Sequence, residues 1–181
     1  NPAFIDDVFE TVESATDRLA KVLSQLRKKQ AAQSKSRMTN LATIIQKVVE
    51  QRNLDKPEVT IDAIENCELS IDSDTFFSVL NHLIQNAQEA TSDDGWVKVG
   101  LSTDEHHVKI TIEDNGSGMS QEFIEKRLFK PFDTTKGNAG MGIGVYEAKQ
   151  FIESIAGVIN VISEENTGTM FTVELPLNPV F

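Results

Sequence analysis

The spacing of apolar residues divides the chain into two parts. In residues 1–30 these residues recur at alternating steps of three and four, which is the heptad pattern of a coiled coil or a helical bundle. The seam consists of Ile5, Val8, Val12, Ala15, Leu19, Val22 and Leu26. One long helix with a partner helix is therefore predicted, and a helix packed on its own domain is the alternative. Residues 31–37 are polar and predict a linker.

From residue 38 the pattern becomes that of a mixed α/β domain, which we assign to residues 38–181. Helical spacing predicts helices over 40–51, 73–92, 120–129 and 142–157. Alternation of apolar and polar residues predicts strands over 58–64, 96–103, 107–114, 158–163 and 169–177. Helices on one face of a mixed, mostly antiparallel sheet make an α/β two-layer sandwich, and this is the predicted fold.

Local signals define several ends of these elements. Asn40 and Ser120 are predicted N-caps, because their side chains can accept a hydrogen bond from a first-turn N–H. Gly157 is the predicted end of the last helix. The segment 104–107 is predicted to join its two flanking strands as a hairpin.

Composition narrows the function classes. A chain of 181 residues with 39% hydrophobic and 25% charged residues suits one globular domain with an appended element. The net charge of −11 argues against a nucleic-acid-binding surface, and it means that a polyphosphate ligand would need a locally organised site. The single cysteine, Cys67, fits a reducing cytoplasm. No apolar run approaches the ~20 residues that span a bilayer, and the missing initiator Met suggests a piece of a longer protein.

Asn86 is unusual because it lies inside the predicted helix 73–92. Asparagine is a poor residue for a helix interior, since its amide competes for backbone hydrogen bonds. Its carbonyl oxygen is a hard ligand that suits Mg²⁺, which otherwise keeps its waters or binds phosphate oxygens. A capping or core hydrogen bond is the alternative.

A first glycine-rich segment, 113–119, directly follows a predicted strand. Asp114 stands at the strand end, and its ionised carboxylate only accepts hydrogen bonds, so it suits a ligand amino group. Gly116 and Gly118 permit positive φ and a close approach of a ligand to the backbone. A tight turn without a ligand is the alternative.

A second glycine-rich segment, 137–145, precedes a predicted helix and carries Gly140, Gly142 and Gly144. Exposed N–H groups and the helix dipole make such a start an anion site, and a flexible loop is the alternative.

The segment 127–138 lies between the two glycine-rich segments. Phe129 and Phe132 could anchor a mobile lid, although residues of an ordinary core are the alternative. Lys130 and Lys136 are candidate phosphate partners in an otherwise acidic chain.

Five short segments, taken in order, resemble a known family. HLIQNAQEA, DNGSGM, FKPF, GMGIGV and TGT are similar to the N, G1, F, G2 and G3 boxes of the ATP-binding domain of bacterial sensor histidine kinases. These kinases belong to the superfamily of gyrase, Hsp90, histidine kinases and MutL. The resemblance covers roughly residues 38–178 and implies ATP and Mg²⁺ as ligands.

The resemblance also implies residue roles. Asp114 would receive the adenine amino group, Thr169 would lie near the adenine, and Asn86 would coordinate a Mg²⁺ ion that bridges the phosphates. Gly116 and Gly118 would shape the adenine pocket. The remaining predicted ATP-binding residues belong to the lid and the phosphate site, and they are Lys136, Gly140, Gly142 and Gly144.

The positions of the histidines indicate whether this chain could phosphorylate itself. Such a kinase transfers the γ-phosphate to a histidine on a bundle helix, and residues 1–27 resemble the second helix of the dimerisation hairpin. The three histidines, His82, His106 and His107, all lie outside that helix. The phosphoacceptor is therefore expected on a preceding helix, so this chain holds no catalytic residue of its own and is expected to bind ATP without phosphorylating itself. A homodimer in the parent protein and a response-regulator receiver domain are the implied partners, in the cytoplasm, with membrane anchoring of the parent left open.

Three positions depart from related patterns. Gyrase-type ATPases carry a Glu one turn before the Asn to activate water, and His82 stands there in this chain, which disfavours a dedicated hydrolase. Many histidine kinases place a basic and an aromatic residue at the positions of Glu89 and Ala90.

Three functions are the alternatives to a histidine kinase. They are an ATPase of the gyrase or Hsp90 kind, a serine kinase of the anti-sigma type, and a nucleotide-dependent interaction module.

Overall fold

The computed structural model describes residues 36–131 and 143–177. The helix predicted over 1–30 and nearly all of the predicted linker lie outside these residues. Three predicted ligand residues of the lid also lie outside them, namely Lys136, Gly140 and Gly142.

The described helices agree with the four predicted between residues 40 and 157. They are α1 (Leu41–Arg52), α2 (Ser73–Ala90), α3 (Gln121–Lys126) and α4 (Gly144–Ser154). Asn40 accepts a hydrogen bond from the Thr43 N–H at 3.0 Å, and Ser120 accepts one from the Phe123 N–H at 3.3 Å. Both predicted N-caps are confirmed.

The strands of the described ranges form two sheets. They are β1 (Arg37–Asn40), β2 (Val59–Ile64), β3 (Glu68–Ile71), β4 (Val97–Thr103), β5 (His107–Asp114), β6 (Val158–Glu164) and β7 (Gly168–Pro176). The main sheet has the order β2-β4-β5-β7-β6, and the small sheet pairs β1 with β3. Strand β2 runs parallel to β4, and the other pairs are antiparallel. The mixed, mostly antiparallel sheet is confirmed.

The core lies between the main sheet and the helices. Cross-strand register aligns the buried residues in rows, such as Val99 with Ile112 and Ile112 with Phe171. Helix α2 packs against α1, α4 and β5, and its apolar stripe is buried against them. Helices thus cover one sheet face, as the two-layer sandwich predicts.

Strands β1 and β3 were not predicted. Each has only four residues, and the sequence of β1 (RMTN) has no apolar alternation that would reveal a strand. In β3, Leu69 and Ile71 are buried and supply an inward-facing pair. The β1–β3 pairing joins segments about thirty residues apart, from Arg37 opposite Ile71 to Asn40 opposite Glu68, so a local pattern cannot specify it.

The end of α4 also differs from the prediction. The left-handed residue is Ala156, with φ of 60°, rather than Gly157. The Gly157 N–H donates to the Ile152 carbonyl, and the Ala156 N–H donates to the Glu153 carbonyl, which is the hydrogen bonding of a Schellman motif. Gly157 packs closely on β7, because a Cβ there would be 2.8 Å from the Glu174 carbonyl oxygen and 2.6 Å from Leu175 Cδ2.

Candidate functional site

Asp114 ends strand β5 on the sheet face that carries the helices. Its neighbours in register are Val97 on β4 and Thr169 on β7, and Thr169 in turn faces Ser163 on β6. Because side chains alternate along a strand, Asp114 shares its face with buried Ile112. The Asp114 residue is only 4% exposed. A carboxyl group is thus placed at the end of the core, where an apolar residue would normally continue the row.

Two backbone N–H groups donate to the Asp114 carboxylate. The Gly116 N–H lies 2.8 Å from Oδ1, and the Thr169 N–H is the second donor. Burial raises the pKa of Asp114 above its ordinary value of 3.8, and this outweighs the two N–H donors, which lower the pKa; the nearby Glu113 raises it further. Since an ionised carboxylate has about four acceptor positions, two N–H donors leave lone pairs for a ligand amino group.

The hydroxyl groups of Thr169 and Ser163 continue this row across β7 and β6. Ser163 Oγ lies 2.9 Å from Thr169 Oγ1 and 2.8 Å from the Gly168 carbonyl oxygen. It also accepts a hydrogen bond from the Met119 N–H at 2.9 Å. Ser163 therefore ties the loop after Asp114 to the β6–β7 hairpin. We did not single out Ser163 from the sequence, although it is a polar residue at a position that alternation turns inward with Ile159 and Val161.

The glycines after Asp114 pack against the backbone of the same chain. A Cβ on Gly116 would be 2.4 Å from the Ala90 carbonyl oxygen at the end of α2. Gly118 has φ of +63°, and a Cβ there would be 1.9 Å from the Glu164 carbonyl oxygen. The loop is thereby wedged between helix α2 and the β6–β7 hairpin. This explains both glycines by contacts within the protein, while their part in an adenine pocket stays a prediction.

A stripe along α2 connects the two glycine-rich segments. His82, Asn86 and Ala90 are spaced four residues apart and so lie on one side of the helix. Ala90 contacts Gly116 at one end of the stripe, and the Ser117 N–H donates to the Ala90 carbonyl at 2.9 Å. At the other end, a Cβ on Gly144 would be 3.4 Å from His82 Cβ.

Asn86 occupies the middle of this stripe, one helical turn from each contact. Its side chain is partly exposed, and no hydrogen bond joins it to another residue of the described ranges. An amide oxygen in this position is available to a ligand. The capping or core hydrogen bond considered as its alternative has no described partner.

Helix α4 begins at Gly144, beside His82. Ile143 is its N-cap residue and makes no side-chain cap hydrogen bond. The first-turn N–H groups of a helix have no intrahelical acceptor, so an end without a side-chain cap can receive an anion. Of the three glycines predicted to contact phosphate, Gly144 is the one within the described residues.

A cavity of about 930 Å³ lies at the same end of the sheet. Its lining includes Trp96, Glu113, Ile162 and Met170, together with the hairpin residues 164–168. Glu113, Met170 and Ile162 lie in register at positions that alternate with the inward-facing row. The lining also includes Asp114, Ser163 and Thr169 of the inward-facing row, so the cavity lies at the end of the sheet and reaches residues of both faces.

Within 36–131 and 143–177, no group of three or more His, Cys, Asp or Glu residues could hold a metal ion. The same ranges contain no helix that is both long enough and apolar enough to cross a membrane.

Comparison with known proteins places these observations in a family. The family described as histidine kinase-, DNA gyrase B-, and HSP90-like ATPase matches residues 71–179, more than half of the chain. Sporulation kinase A of Bacillus subtilis is 36% identical over 105 residues, which are 58% of this chain and 17% of that kinase. Sensor histidine kinase YvrG of the same bacterium is 25% identical over 186 residues, which are 96% of this chain and 32% of that kinase. The chain thus spans about a sixth to a third of these relatives.

Solved structures agree with the sequence matches. The mycobacterial sensor histidine kinase MprB is similar in fold, with a TM-score of 0.70 at 20% identity, covering 80% of this chain and 99% of that one. The catalytic domain of histidine kinase ThkA, in a nucleotide-free form, has a TM-score of 0.69 at 28% identity, and the match covers 80% of this chain and 97% of the ThkA chain. The resemblance seen in the sequence boxes is confirmed: the chain belongs to the family of histidine kinase-, DNA gyrase B- and HSP90-like ATPases, and its relatives include sensor histidine kinases.

Proposed function

We propose that this chain is the Mg²⁺–ATP-binding catalytic part of a two-component sensor histidine kinase. The observation that carries the proposal is the α2 stripe, in which Asn86 lies between the loop that follows Asp114 and the start of α4, whose N-cap residue Ile143 makes no side-chain cap hydrogen bond. The family match and the histidine kinase relatives support the same function. Cytoplasmic location, dimerisation through residues 1–30 and a receiver domain as partner remain predictions.

Adenine recognition rests on Asp114. Its carboxylate is buried, is held by two N–H donors and keeps unused acceptor positions. An adenine amino group donates hydrogen bonds, so it complements such a carboxylate. Thr169 contributes its hydroxyl from the next strand in register.

The Mg²⁺ ion fits Asn86 as one protein ligand among waters and phosphates. Asn86 supplies a hard oxygen that is partly exposed and has no described hydrogen-bond partner. Mg²⁺ keeps several waters and commonly binds one or two protein oxygens plus substrate phosphates. When bound, the ion would neutralise phosphate charge, and the first-turn N–H groups of α4 would add to that neutralisation.

The described residues favour phosphoryl transfer over hydrolysis. His82 occupies the place where gyrase-type ATPases hold a water-activating Glu, and it contacts Gly144. In the proposed reaction, the bond between the γ-phosphorus and its bridging oxygen breaks, ADP leaves, and a histidine nitrogen on a bundle helix gains the phosphoryl group. The chain's own contribution is positioning and charge stabilisation.

The first test is a calorimetric titration with ATP, with and without Mg²⁺. Asp114→Asn should weaken ATP binding by about 1–3 kcal/mol, the cost of spoiling a hydrogen bond to a charged group. Asp104→Asn is the matched control, because Asp104 Oδ1 also accepts an N–H from the residue two positions ahead, in the exposed β4–β5 hairpin. Equal affinities of wild type and Asp114→Asn would contradict the assignment.

The same calorimetric titration also tests the role of Asn86 as a Mg²⁺ ligand. Asn86→Ala should abolish the gain in affinity that Mg²⁺ provides and leave the Mg²⁺-free affinity nearly unchanged. Asn160→Ala is its control, since Asn160 is an exposed amide on the far side of the sheet. A Mg²⁺ effect that survives Asn86→Ala would remove Asn86 from the metal site.

Radiolabelled ATP distinguishes the reaction classes. The chain should bind ATP without acquiring an acid-labile label, and it should label an added acceptor-helix fragment of its parent kinase. Steady phosphate release abolished by Asn86→Ala would indicate an ATPase, and acid-stable label on a partner serine would indicate a serine kinase. Binding without any transfer to the acceptor helix would indicate an interaction module.

A further inference from the structure

Ser163 is a hydroxyl whose hydrogen bonds can be assigned by counting hydrogens. A serine hydroxyl has one hydrogen and two acceptor lone pairs. The Met119 N–H can only donate, so Ser163 accepts at that 2.9 Å contact. The Gly168 carbonyl can only accept, so Ser163 gives its single hydrogen to that oxygen at 2.8 Å.

The direction of the third contact follows. Ser163 Oγ and Thr169 Oγ1 are 2.9 Å apart, and from the distance alone either could donate. Because the hydrogen of Ser163 is already used, the hydrogen of Thr169 must point to Ser163. Thr169 Oγ1 is then left with lone pairs only, and it is an acceptor for any further partner.

Burial protects this arrangement. Ser163 is 5% exposed and Thr169 is 7% exposed, so both side chains are largely shielded from bulk water, and both residues line the cavity at this end of the sheet. Thr169 stands in register with Asp114, whose ionised carboxylate is also an acceptor. Asp114 and Thr169 therefore present two acceptors side by side, and neither of the two donates to a further partner.

Two adjacent acceptors discriminate between purines. The 6-amino group of adenine offers two hydrogens, one for each acceptor. The 6-oxo group of hypoxanthine or guanine offers none and places a third acceptor against the pair, and the N1–H of hypoxanthine can satisfy only one of the two acceptors. A site built around fixed acceptors strongly rejects an analogue that leaves them unpaired.

We propose that Ser163 is a positioning residue that fixes the Thr169 hydroxyl as an acceptor and thereby makes the site select 6-amino over 6-oxo purine nucleotides. The inference rests on the proposed function, because it assumes that Asp114 and Thr169 face the base of a bound nucleotide. It adds a residue outside the five sequence boxes, and it assigns that residue to base selectivity.

The test compares the dissociation constants of Mg²⁺–ATP and Mg²⁺–ITP for each variant. Ser163→Ala frees the Thr169 hydrogen to turn toward the base, so the ratio of the ITP constant to the ATP constant should fall about tenfold, the scale of one hydrogen bond. Ser163→Thr keeps a hydroxyl and should preserve the ratio. Thr172→Val, which removes another buried hydroxyl of β7, is the control and should also preserve it.

A double-mutant cycle shows whether Ser163 acts by positioning the Thr169 hydroxyl or only by supporting the fold. If Ser163 acts through the Thr169 hydroxyl, Ser163→Ala should have no effect on the ratio in a Thr169→Val background. An equal loss of ATP and ITP affinity in Ser163→Ala would mean that Ser163 only supports the fold, and the inference would be wrong.

Two further outcomes keep the test decisive. If Ser163→Ala does not fold, Ser163→Cys is the fallback variant, because a thiol is close to a hydroxyl in size but is only a weak donor. The ratio of its ITP and ATP dissociation constants should lie between the wild-type ratio and one tenth of it. An unchanged ratio would contradict the inference. A wild-type chain that binds no ATP would overturn the proposed function itself, whereas wild-type ATP binding with an unchanged ratio in the variants overturns the role of Ser163 alone.

Discussion

Gly144, the first residue of α4, lies beside His82 of α2. A Cβ built on Gly144 would be 3.4 Å from His82 Cβ, 3.5 Å from its Cγ and 3.8 Å from its Nδ1. These are ordinary van der Waals distances, and the φ of Gly144 is outside the left-handed region. The described surroundings of α4 therefore do not themselves require glycine at its first residue.

Gly144→Ala should fold normally. Alanine restricts the unfolded chain more than glycine does, so we expect the free energy of unfolding to rise by about 0.4–1 kcal/mol. Urea denaturation without nucleotide measures this change. If stability rises while Mg²⁺–ATP affinity falls, Gly144 is required by the nucleotide site or the lid. A loss of stability would show that a methyl group does not fit against His82 as these distances predict.

Gly118→Ala should behave in the opposite way. Gly118 has φ of +63°, and its Cβ would meet the Glu164 carbonyl oxygen at 1.9 Å. The left-handed conformation alone costs an L-residue about 1–2 kcal/mol, and relieving the backbone clash adds to this, so a loss above about 2 kcal/mol is expected. Urea denaturation measures this loss, and Gly144→Ala is the control, because it makes the same chemical change at a position where the Cβ meets only ordinary van der Waals contacts. A loss below about 0.5 kcal/mol would show that the loop does not pack on the hairpin this tightly.

Asp114 should make stability depend on pH in a recognisable direction. Burial raises its pKa in the folded state above 3.8, so the folded state binds the proton more tightly than the unfolded state. Its contribution to stability is therefore lost as pH rises from about 3.8 through the raised pKa. Unfolding free energies measured without nucleotide should give a difference, wild type minus Asp114→Asn, that declines with pH across this window.

Asp104→Asn supplies a control of opposite sign. The His106 and His107 N–H groups donate to the Asp104 carboxylate and lower its pKa, so its contribution is present above its ordinary pKa and is lost as pH falls. The difference between wild type and Asp104→Asn should rise with pH. A flat profile for Asp114→Asn beside a rising one for Asp104→Asn would mean that the Asp114 carboxyl is not buried as described.

Features of the fold that depend on residues close together in the sequence were predicted, and a feature that depends on distant residues was not. The N-caps Asn40 and Ser120 and the hairpin between β4 and β5 are set by neighbouring residues, and all were correctly predicted. The β1–β3 pairing joins distant segments of four residues, and it was missed.

In the candidate site, too, contacts between distant segments could not be predicted from the sequence. The resemblance in the sequence boxes predicts Asp114 and Thr169 as neighbours of the adenine. The structure places the two residues in register on neighbouring strands, while their contact with adenine stays a prediction. Ser163 becomes visible only when the register of β6 on β7 is known, because its partners Met119 and Thr169 come from two different segments. The packing of Gly116 on Ala90 is likewise a contact between a loop and a helix end, which glycine spacing alone does not disclose.

Ala156 offers a stabilising substitution outside the site. It adopts φ of 60° after the end of α4, in the position where a Schellman motif usually has glycine. Ala156→Gly removes the cost of a left-handed L-residue, about 1–2 kcal/mol, and loses part of that gain to the greater freedom of glycine in the unfolded chain. We expect a net rise of about 0.5–1 kcal/mol in urea denaturation, with nucleotide affinity unchanged. Ser154→Gly, a change to glycine at the last helical residue before the turn, should instead lower stability. A loss of stability in Ala156→Gly would contradict the left-handed turn that connects α4 to β6.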